Sequence, residues 1–221
     1  MRFNVKLAGL LALASIGTVA CGGNEPPPEP APVVQERAQP DADSLAAARA
    51  AEREAAANQL CEQARQAVKA GDLNRARSLV QQINRDYAGT ECAGATSNIS
   101  AMIDAVATLQ QPIHFEFDKS RITDEAAAIL QRKAEILRQH PNLQITLEGH
   151  CDERGSLEYN MALGQRRAES TKRYLTQLGL SADMFSTVSY GEERPVAQGH
   201  NEQAWAQNRR AEFDIKNLDA M

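Results

Sequence analysis

The pattern of hydrophobic and polar positions in the C-terminal half of the chain alternates short strands with longer helices. Alternating apolar residues predict four strands, near residues 113–117, 143–147, 185–190 and 211–215. Apolar positions three and four residues apart predict one helix after Thr123 and a longer one over residues 157–178. Strands and helices that alternate over this length predict the α+β class, as a two-layer α/β sandwich.

Residues 44–109 carry a different pattern, with apolar positions at helical spacing and none of the alternation typical of strands. Ser44 is a candidate N-cap, and the Gly71-Asp72 pair interrupts the helical run. A third segment continues toward Leu109. We therefore expect a helical, hairpin-like segment that serves as a spacer, and the pattern does not specify a role for it.

The first residues resemble the signal of a bacterial lipoprotein. Two basic residues precede an apolar run that is too short to span a bilayer, and the TVAC stretch at residues 18–21 resembles a lipobox. The resemblance implies a signal peptide over residues 1–20 and lipidation at Cys21. Gly22 then fits the pattern of lipoproteins sent to the outer membrane. The alternative is an ordinary secretory signal with an incidental cysteine.

Composition and charge narrow the classes of partner. Residues 21–43 are rich in Pro, Glu, Gln and Ala, which predicts a disordered, extended linker. The net charge is −5, so the chain has no broad electrostatic footprint for nucleic acid. After the signal, no stretch is long and apolar enough to span a membrane. The acyl chains on Cys21 would therefore be the membrane attachment.

Three further cysteines would lie in an oxidising compartment. The spacings of Cys61, Cys92 and Cys151 do not form a zinc pattern. Cys61 and Cys92 could form a disulfide, but a simple helical hairpin that turns at Gly71 would not bring them together. The pairing requires the chain to fold back after Tyr87, so it remains open at this point.

The candidate chemistry lies in residues 148–155, a loop that leaves a predicted strand and enters the long helix. Asp152 lies on this loop, and Arg167 shares a helix stripe with Asn160 and Leu163 that faces back toward it. Asp152 could accept hydrogen bonds from an ammonium, and Arg167 could clamp a carboxylate through two parallel hydrogen bonds. Such a pair predicts a pocket for a ligand that carries both charges. The alternative is that Asp152 and Arg167 pair with each other.

Several motifs occur together in the order typical of one family. They are FEFD at residues 115–118, GHCDERG at 149–155, EYN at 158–160, LGQRRA at 163–168, STVSYG at 186–191 and NRRA at 208–211. With these motifs, residues 110–221 resemble the OmpA-like peptidoglycan-binding domain, and most closely that of the peptidoglycan-associated lipoproteins of the Tol–Pal system. Any one motif is weak, but the ordered set is specific.

The resemblance implies a mixed four-stranded sheet and a ligand, the diaminopimelate residue of the peptidoglycan stem peptide. It places the acid at Asp152 and the arginine at Arg167, with Phe117, Asp118 and Arg154 around the same ligand. It also implies an outer-membrane protein that tethers this membrane to the cell wall and supports envelope integrity and cell division. A TolB-like periplasmic protein is a further implied partner.

Other classes of function fit less well. His150, Cys151 and Asp152 suggest a hydrolase, but neighbouring strand residues point to opposite faces and could not readily assemble a triad. We therefore expect no enzymatic activity, and no cofactor or metal pattern is visible. Flagellar-type stators need a transmembrane helix, and outer-membrane barrels need many amphipathic strands. An adaptor that binds another envelope complex through residues 44–109 remains the alternative.

Overall fold

Four strands form one mixed sheet in the computed structural model, which describes residues 41–221. The strands are β1 (Ile113–His114), β2 (Ile145–His150), β3 (Phe185–Gly191) and β4 (Arg210–Ile215). Their order is β1-β4-β2-β3, with β4 antiparallel to both neighbours and β2 parallel to β3. The predicted α+β class and mixed four-stranded sheet are confirmed.

Two helices form the second layer of the sandwich. They are α4 (Asp124–Gln139), which begins after the N-cap Thr123 as predicted, and α5 (Leu157–Gln177), whose N-cap is Ser156. Their apolar stripes pack on the alternate β2 residues Ile145 and Leu147, which are buried in one core with the helices. A short helix, α6 (Glu202–Asn208), precedes β4.

A pair of glycines lets α5 approach the sheet closely. A Cβ atom added at Gly149 on β2 would lie 1.9 Å from the carbonyl oxygen of Gly164 on α5. A Cβ atom at Gly164 would lie 2.8 Å from the carbonyl oxygen of Gly149. Both glycines are needed because real side-chain atoms do not come this close to backbone oxygens. This contact fixes the distance between the backbones of α5 and β2.

Three helices precede the sandwich, and the third one is the segment expected to run toward Leu109. They are α1 (Ala42–Lys69), α2 (Leu73–Asp86) and α3 (Glu91–Gln110). The N-cap of α1 is Asp41 rather than the expected Ser44, because the Asp41 carboxylate accepts a hydrogen bond from the Ser44 amide at 2.7 Å. The helix therefore starts inside the stretch assigned to the linker. None of the helices in residues 41–221 combines the length and apolarity that a membrane crossing requires.

A disulfide joins α1 to α3. Tyr87 ends α2 and Thr90 caps α3, so the chain folds back and α3 packs against α1. The Cα atoms of Cys61 and Cys92 are 6.1 Å apart, and their sulfur atoms are bonded. Cys151 is a free, buried cysteine.

The helices α1–α3 pack against the sandwich. Leu218, which follows β4, is buried in the core of the three helices. Lys133 on α4 is fully buried, and its Nζ atom donates hydrogen bonds to the carbonyl oxygens of Leu109 and Gln111 at the end of α3. The predicted signal peptide, the lipidation at Cys21 and nearly all of the predicted linker lie outside the described residues.

Candidate functional site

A pocket of about 220 Å³ lies where the loop after β2 enters α5. Its lining includes all seven residues that the sequence nominated for ligand binding: Phe117, Asp118, Asp152, Arg154, Asn160, Leu163 and Arg167. Cys151, Gly155 and Tyr159 complete the wall. Residues from four separate motifs therefore meet at one place.

Asp152 is the buried acid of the pocket, and two arginines neutralise it. Arg154 donates from Nε and Nη2 to the two carboxylate oxygens at 3.2 and 2.8 Å, and Arg209 donates from Nη1 at 3.2 Å. Burial alone would raise the pKa of the Asp152 carboxyl. The hydrogen bonds from Arg154 and Arg209 outweigh burial and hold this pKa below its ordinary value. Asp152 is therefore an anion at neutral pH.

Arg154 is the more exposed of these two partners, since its side chain is 31% exposed and that of Arg209 is 7% exposed. Its guanidinium carbon lies 3.8 Å from the ring centroid of Phe117 and 4.2 Å from that of Trp205. A guanidinium between two aromatic faces keeps a defined plane without losing all contact with solvent. Arg154 therefore lies between the Asp152 carboxylate and the solvent.

Arg167 does not present the open fork that we expected, and it does not pair with Asp152. Its side chain is fully buried, and Nε, Nη1 and Nη2 donate to backbone carbonyl oxygens at 2.9, 2.7 and 3.2 Å. These acceptors belong to Lys119, His150 and Glu116. Nη1 also contacts the Cys151 sulfur at 3.3 Å. A clamp that uses two parallel hydrogen bonds would have to break some of these bonds. Arg167 fastens the end of β2 to the loop after β1.

The remaining predicted residues shape the pocket. Asp118 has a positive φ of 58° and accepts a hydrogen bond from the Tyr159 hydroxyl, which joins the loop after β1 to α5. Asn160 is buried, and its side-chain nitrogen contacts Glu192 at 2.6 Å and the carbonyl oxygen of Asp152 at 3.2 Å. Leu163 supplies a buried apolar wall.

The residues suggested for a hydrolase do not assemble as a triad. The Cys151 thiol donates to the carbonyl oxygen of Asn160, and burial raises its pKa to about 11, so it is a poor nucleophile. The His150 ring stacks on Tyr190, with ring centroids 5.5 Å apart. Asp152 is held by arginines. No nucleophile is paired with a base in this pocket.

Comparison with known proteins decides the family. Residues 114–209 match the OmpA family. The chain is 43% identical to the peptidoglycan-associated lipoprotein of Pseudomonas putida over 146 residues. This matched region covers 66% of this chain and 84% of that protein. The chain belongs to the peptidoglycan-associated lipoproteins of the OmpA family. The resemblance inferred from the motifs is thus confirmed.

Further members of this lipoprotein family are similar to the chain. The peptidoglycan-associated lipoprotein of Haemophilus influenzae is 46% identical over 131 residues, covering 58% of this chain and 82% of that protein. A crystal structure of the peptidoglycan-associated lipoprotein from Burkholderia pseudomallei has a TM-score of 0.48 and 44% identity, covering 51% of this chain and 93% of that one.

Two residues of this family member escaped the sequence analysis. Arg209 reaches Asp152, Glu202 and the carbonyl oxygen of Phe115, although its NRRA motif contributed only to the family resemblance. Trp205 is the single tryptophan of the chain, and its ring covers Arg154. The signals available for these two residues were a lone tryptophan and a pair of arginines shortly before the predicted strand at residues 211–215.

Proposed function

We propose that this chain is an outer-membrane lipoprotein that binds peptidoglycan without a covalent bond and tethers the outer membrane to the cell wall. The observation that carries the proposal is the ionised, buried Asp152 at the pocket between β2 and α5. The names of the relatives in the same family support peptidoglycan as the ligand.

The proposed ligand group is the free end of diaminopimelate, which carries an ammonium and a carboxylate on one carbon. Asp152 accepts hydrogen bonds from the ammonium, because an anion with little solvent around it favours a cation in contact. Arg154 now occupies both oxygens of this carboxylate, so the ligand must share them or displace it.

Arg154 then turns from Asp152 to the ligand carboxylate. It is partly exposed and stacked on Phe117 and Trp205, so its guanidinium can rotate in the plane of the aromatic pair without leaving it. Arg209 stays on Asp152 and keeps the carboxylate ionised. Arg167 acts mainly by positioning the loop through its backbone contacts, and its uncommitted N–H can add a bond to the ligand.

The proposal extends to the rest of the chain. Cys21 carries the lipid that holds the protein in the outer membrane, residues 1–20 are removed, and the linker spans the gap to the wall. The role is one of attachment in envelope integrity and cell division, with no chemical change to the peptidoglycan. A TolB-like periplasmic protein is the proposed protein partner.

Sedimentation of the full chain with purified peptidoglycan sacculi tests the function. Wild type is expected to pellet with the sacculi, and Asp152→Asn is expected to remain mostly in the supernatant. Glu169→Gln is the matched control, because it removes one negative charge from the exposed side of α5. Released muropeptides are measured in the same supernatants. Equal pelleting of wild type and Asp152→Asn would contradict the binding site, and muropeptide release would contradict the non-enzymatic role.

A further inference from the structure

A second cluster of ionisable side chains lies on the face of the sheet opposite to α4 and α5. Glu148 and His150 lie on β2, and Glu212 lies on β4 directly across from Glu148. One possible ligand atom from each side chain lies within 4.8 Å of the other two. The cluster is separate from the proposed ligand pocket, whose lining contains none of the three residues.

His150 is the unusual member of the cluster. Its side chain is 1% exposed, yet neither ring nitrogen has a hydrogen-bond partner among residues 41–221. Its Nε2 atom points toward the carboxylates and lies 4.0 Å from Oε2 of Glu148. Buried polar atoms in native proteins almost always bind protein, water or an ion. We therefore expect the His150 ring to bind a ligand in the space between it and the carboxylates.

The charges around the cluster leave room for a cation. Arg210 binds Oε1 of Glu212 at 2.5 Å, and Lys216 binds Asp214. Arg194 lies over Tyr190, 3.5 Å from the ring centroid; its charge acts on Glu148 through space, but it makes no hydrogen bond to that carboxylate. No hydrogen bond from another described residue reaches the Glu148 carboxylate. Glu148 and the second oxygen of Glu212 are thus available to a ligand.

We propose that Glu148, His150 and Glu212 bind one divalent transition-metal ion of the zinc class. Zinc accepts imidazole nitrogen and carboxylate oxygen at about 2.0–2.2 Å, and three protein ligands with one water complete its tetrahedral shell. Such bonds require ligand atoms roughly 3.3 Å apart. The three ligand atoms now lie within 4.8 Å of one another, so the partly exposed side chains of Glu148 and Glu212 would have to rotate toward the ion to reach this spacing.

The ion would join β2 to β4 at the end of β2 that leads into Asp152. The carbonyl oxygen of His150 already accepts a hydrogen bond from Arg167, so a fixed His150 also fixes the entry to the loop. The metal site is proposed from its own geometry and does not depend on what the pocket binds.

Titration of the metal-stripped full chain with Zn²⁺, followed by calorimetry and by metal analysis after dialysis, tests the site. Wild type is expected to bind one ion per chain. Glu148→Gln and His150→Gln are each expected to weaken binding by about tenfold or more. His200→Gln is the matched control, because His200 and Glu153 form an exposed pair at 2.7 Å that could capture zinc without a built site.

Binding in His200→Gln should equal that of wild type. The proposal is overturned if wild type does not bind one ion, if Glu148→Gln binds as wild type does, or if His200→Gln removes the binding. Glu148→Gln decides the matter even where His150→Gln fails to fold. It preserves the size of the side chain, and no described residue donates a hydrogen bond to the Glu148 carboxylate that the change would remove.

Discussion

Arg209 donates a hydrogen bond from Nη1 to Oδ2 of Asp152 across 3.2 Å, although the two residues are 57 positions apart in the chain. Both side chains are buried, and the same guanidinium also binds Glu202 and the carbonyl oxygen of Phe115. This arginine joins the start of β4, the loop after β2 and the end of β1. The acid of the pocket is therefore also a support of the fold.

Loss of the Asp152 charge is expected to reduce stability in a way that depends on pH. Asp152→Asn removes the buried anion beside Arg209 and leaves it only the exposed Glu202 carboxylate. This loss should lower the free energy of unfolding by about 1–3 kcal/mol at pH 7. Because the folded-state pKa of Asp152 lies below its ordinary value of 3.8, this contribution is fully present above about pH 4. It disappears as the pH falls through the folded-state pKa.

Urea unfolding of wild type and Asp152→Asn at pH 7, 5 and 3 measures this effect. The difference between the two proteins should be the same at pH 7 and 5 and smaller at pH 3. A difference that stays constant down to pH 3, or that is absent at pH 7, would show that the Asp152 charge does not support the fold.

Substitution of two helical glycines by alanine should change the free energy of unfolding in opposite directions. Gly164 lies in the close contact of α5 with β2, whereas Gly94 lies on α3 with open space around it. Gly164→Ala should lower the free energy of unfolding by about 1–3 kcal/mol, since the added Cβ atom meets Ser189 at 2.3 Å and the backbone of Gly149 at 2.8 Å. Gly94→Ala on α3 should raise it by about 0.5–1 kcal/mol, because nothing lies within 4 Å and alanine favours the helix. Chemical denaturation of both variants checks the signs, and a stabilised Gly164→Ala would refute the tight packing.

The disulfide between Cys61 and Cys92 should stabilise the three helices. It closes a loop with a sequence separation of 31, for which chain entropy gives about 3–4 kcal/mol. Replacement of both cysteines by serine is therefore expected to lower the melting temperature of the helical signal in circular dichroism. A thiol count on the unfolded wild type, before and after reduction, shows whether the bond exists. Two additional thiols should appear on reduction, and none would contradict the pairing.

The lowered pKa of Lys133 should make the free energy of unfolding rise with pH. Burial lowers its pKa to about 6, whereas an unfolded chain keeps it near 10.5. Between these values the unfolded state binds the proton and the folded state does not, so stability grows from pH 6 toward pH 10. Below pH 6 both states are protonated, and the cost of burying the charge is constant.

Replacement of Lys133 by methionine removes this proton and should flatten the rise. Unfolding free energies of both proteins at pH 6, 8 and 9.5 give the comparison. Parallel pH profiles for wild type and Lys133→Met would mean that Lys133 does not lose its proton on folding.

Local patterns predicted most of the fold. The alternation in residues 143–147 and the N-cap at Thr123 act over a few residues, so they can be read along the chain. The N-cap of α1 was misplaced because Asp41 and Ser44 are both good caps, and only the backbone shows which one accepts the hydrogen bond. A third segment toward Leu109 was expected, but its packing against α1 depends on the turn after Tyr87, which the apolar pattern left open.

The sequence predicted which residues line the pocket, but not which of their side chains bond to one another. Motif order brought Asp152 and Arg167 to one place, but it could not show that three N–H groups of Arg167 donate to backbone carbonyl oxygens. The partners of Asp152 are instead Arg154 on the same loop and Arg209, which directly precedes β4. Such pairings depend on tertiary contacts between distant segments, and no local pattern encodes them.

The affinity of the full chain for a soluble stem peptide, measured by calorimetry, tests the central claim most directly. Two peptides are compared, one with diaminopimelate and one with lysine, which keeps the ammonium and lacks the carboxylate. Wild type should bind the diaminopimelate peptide about tenfold or more tightly, the effect of one charge-assisted hydrogen bond, and Asp152→Asn should lose most of the affinity for both. Equal affinity of wild type for the two peptides, or undiminished binding by Asp152→Asn, would contradict a pocket that recognises both charges through Asp152.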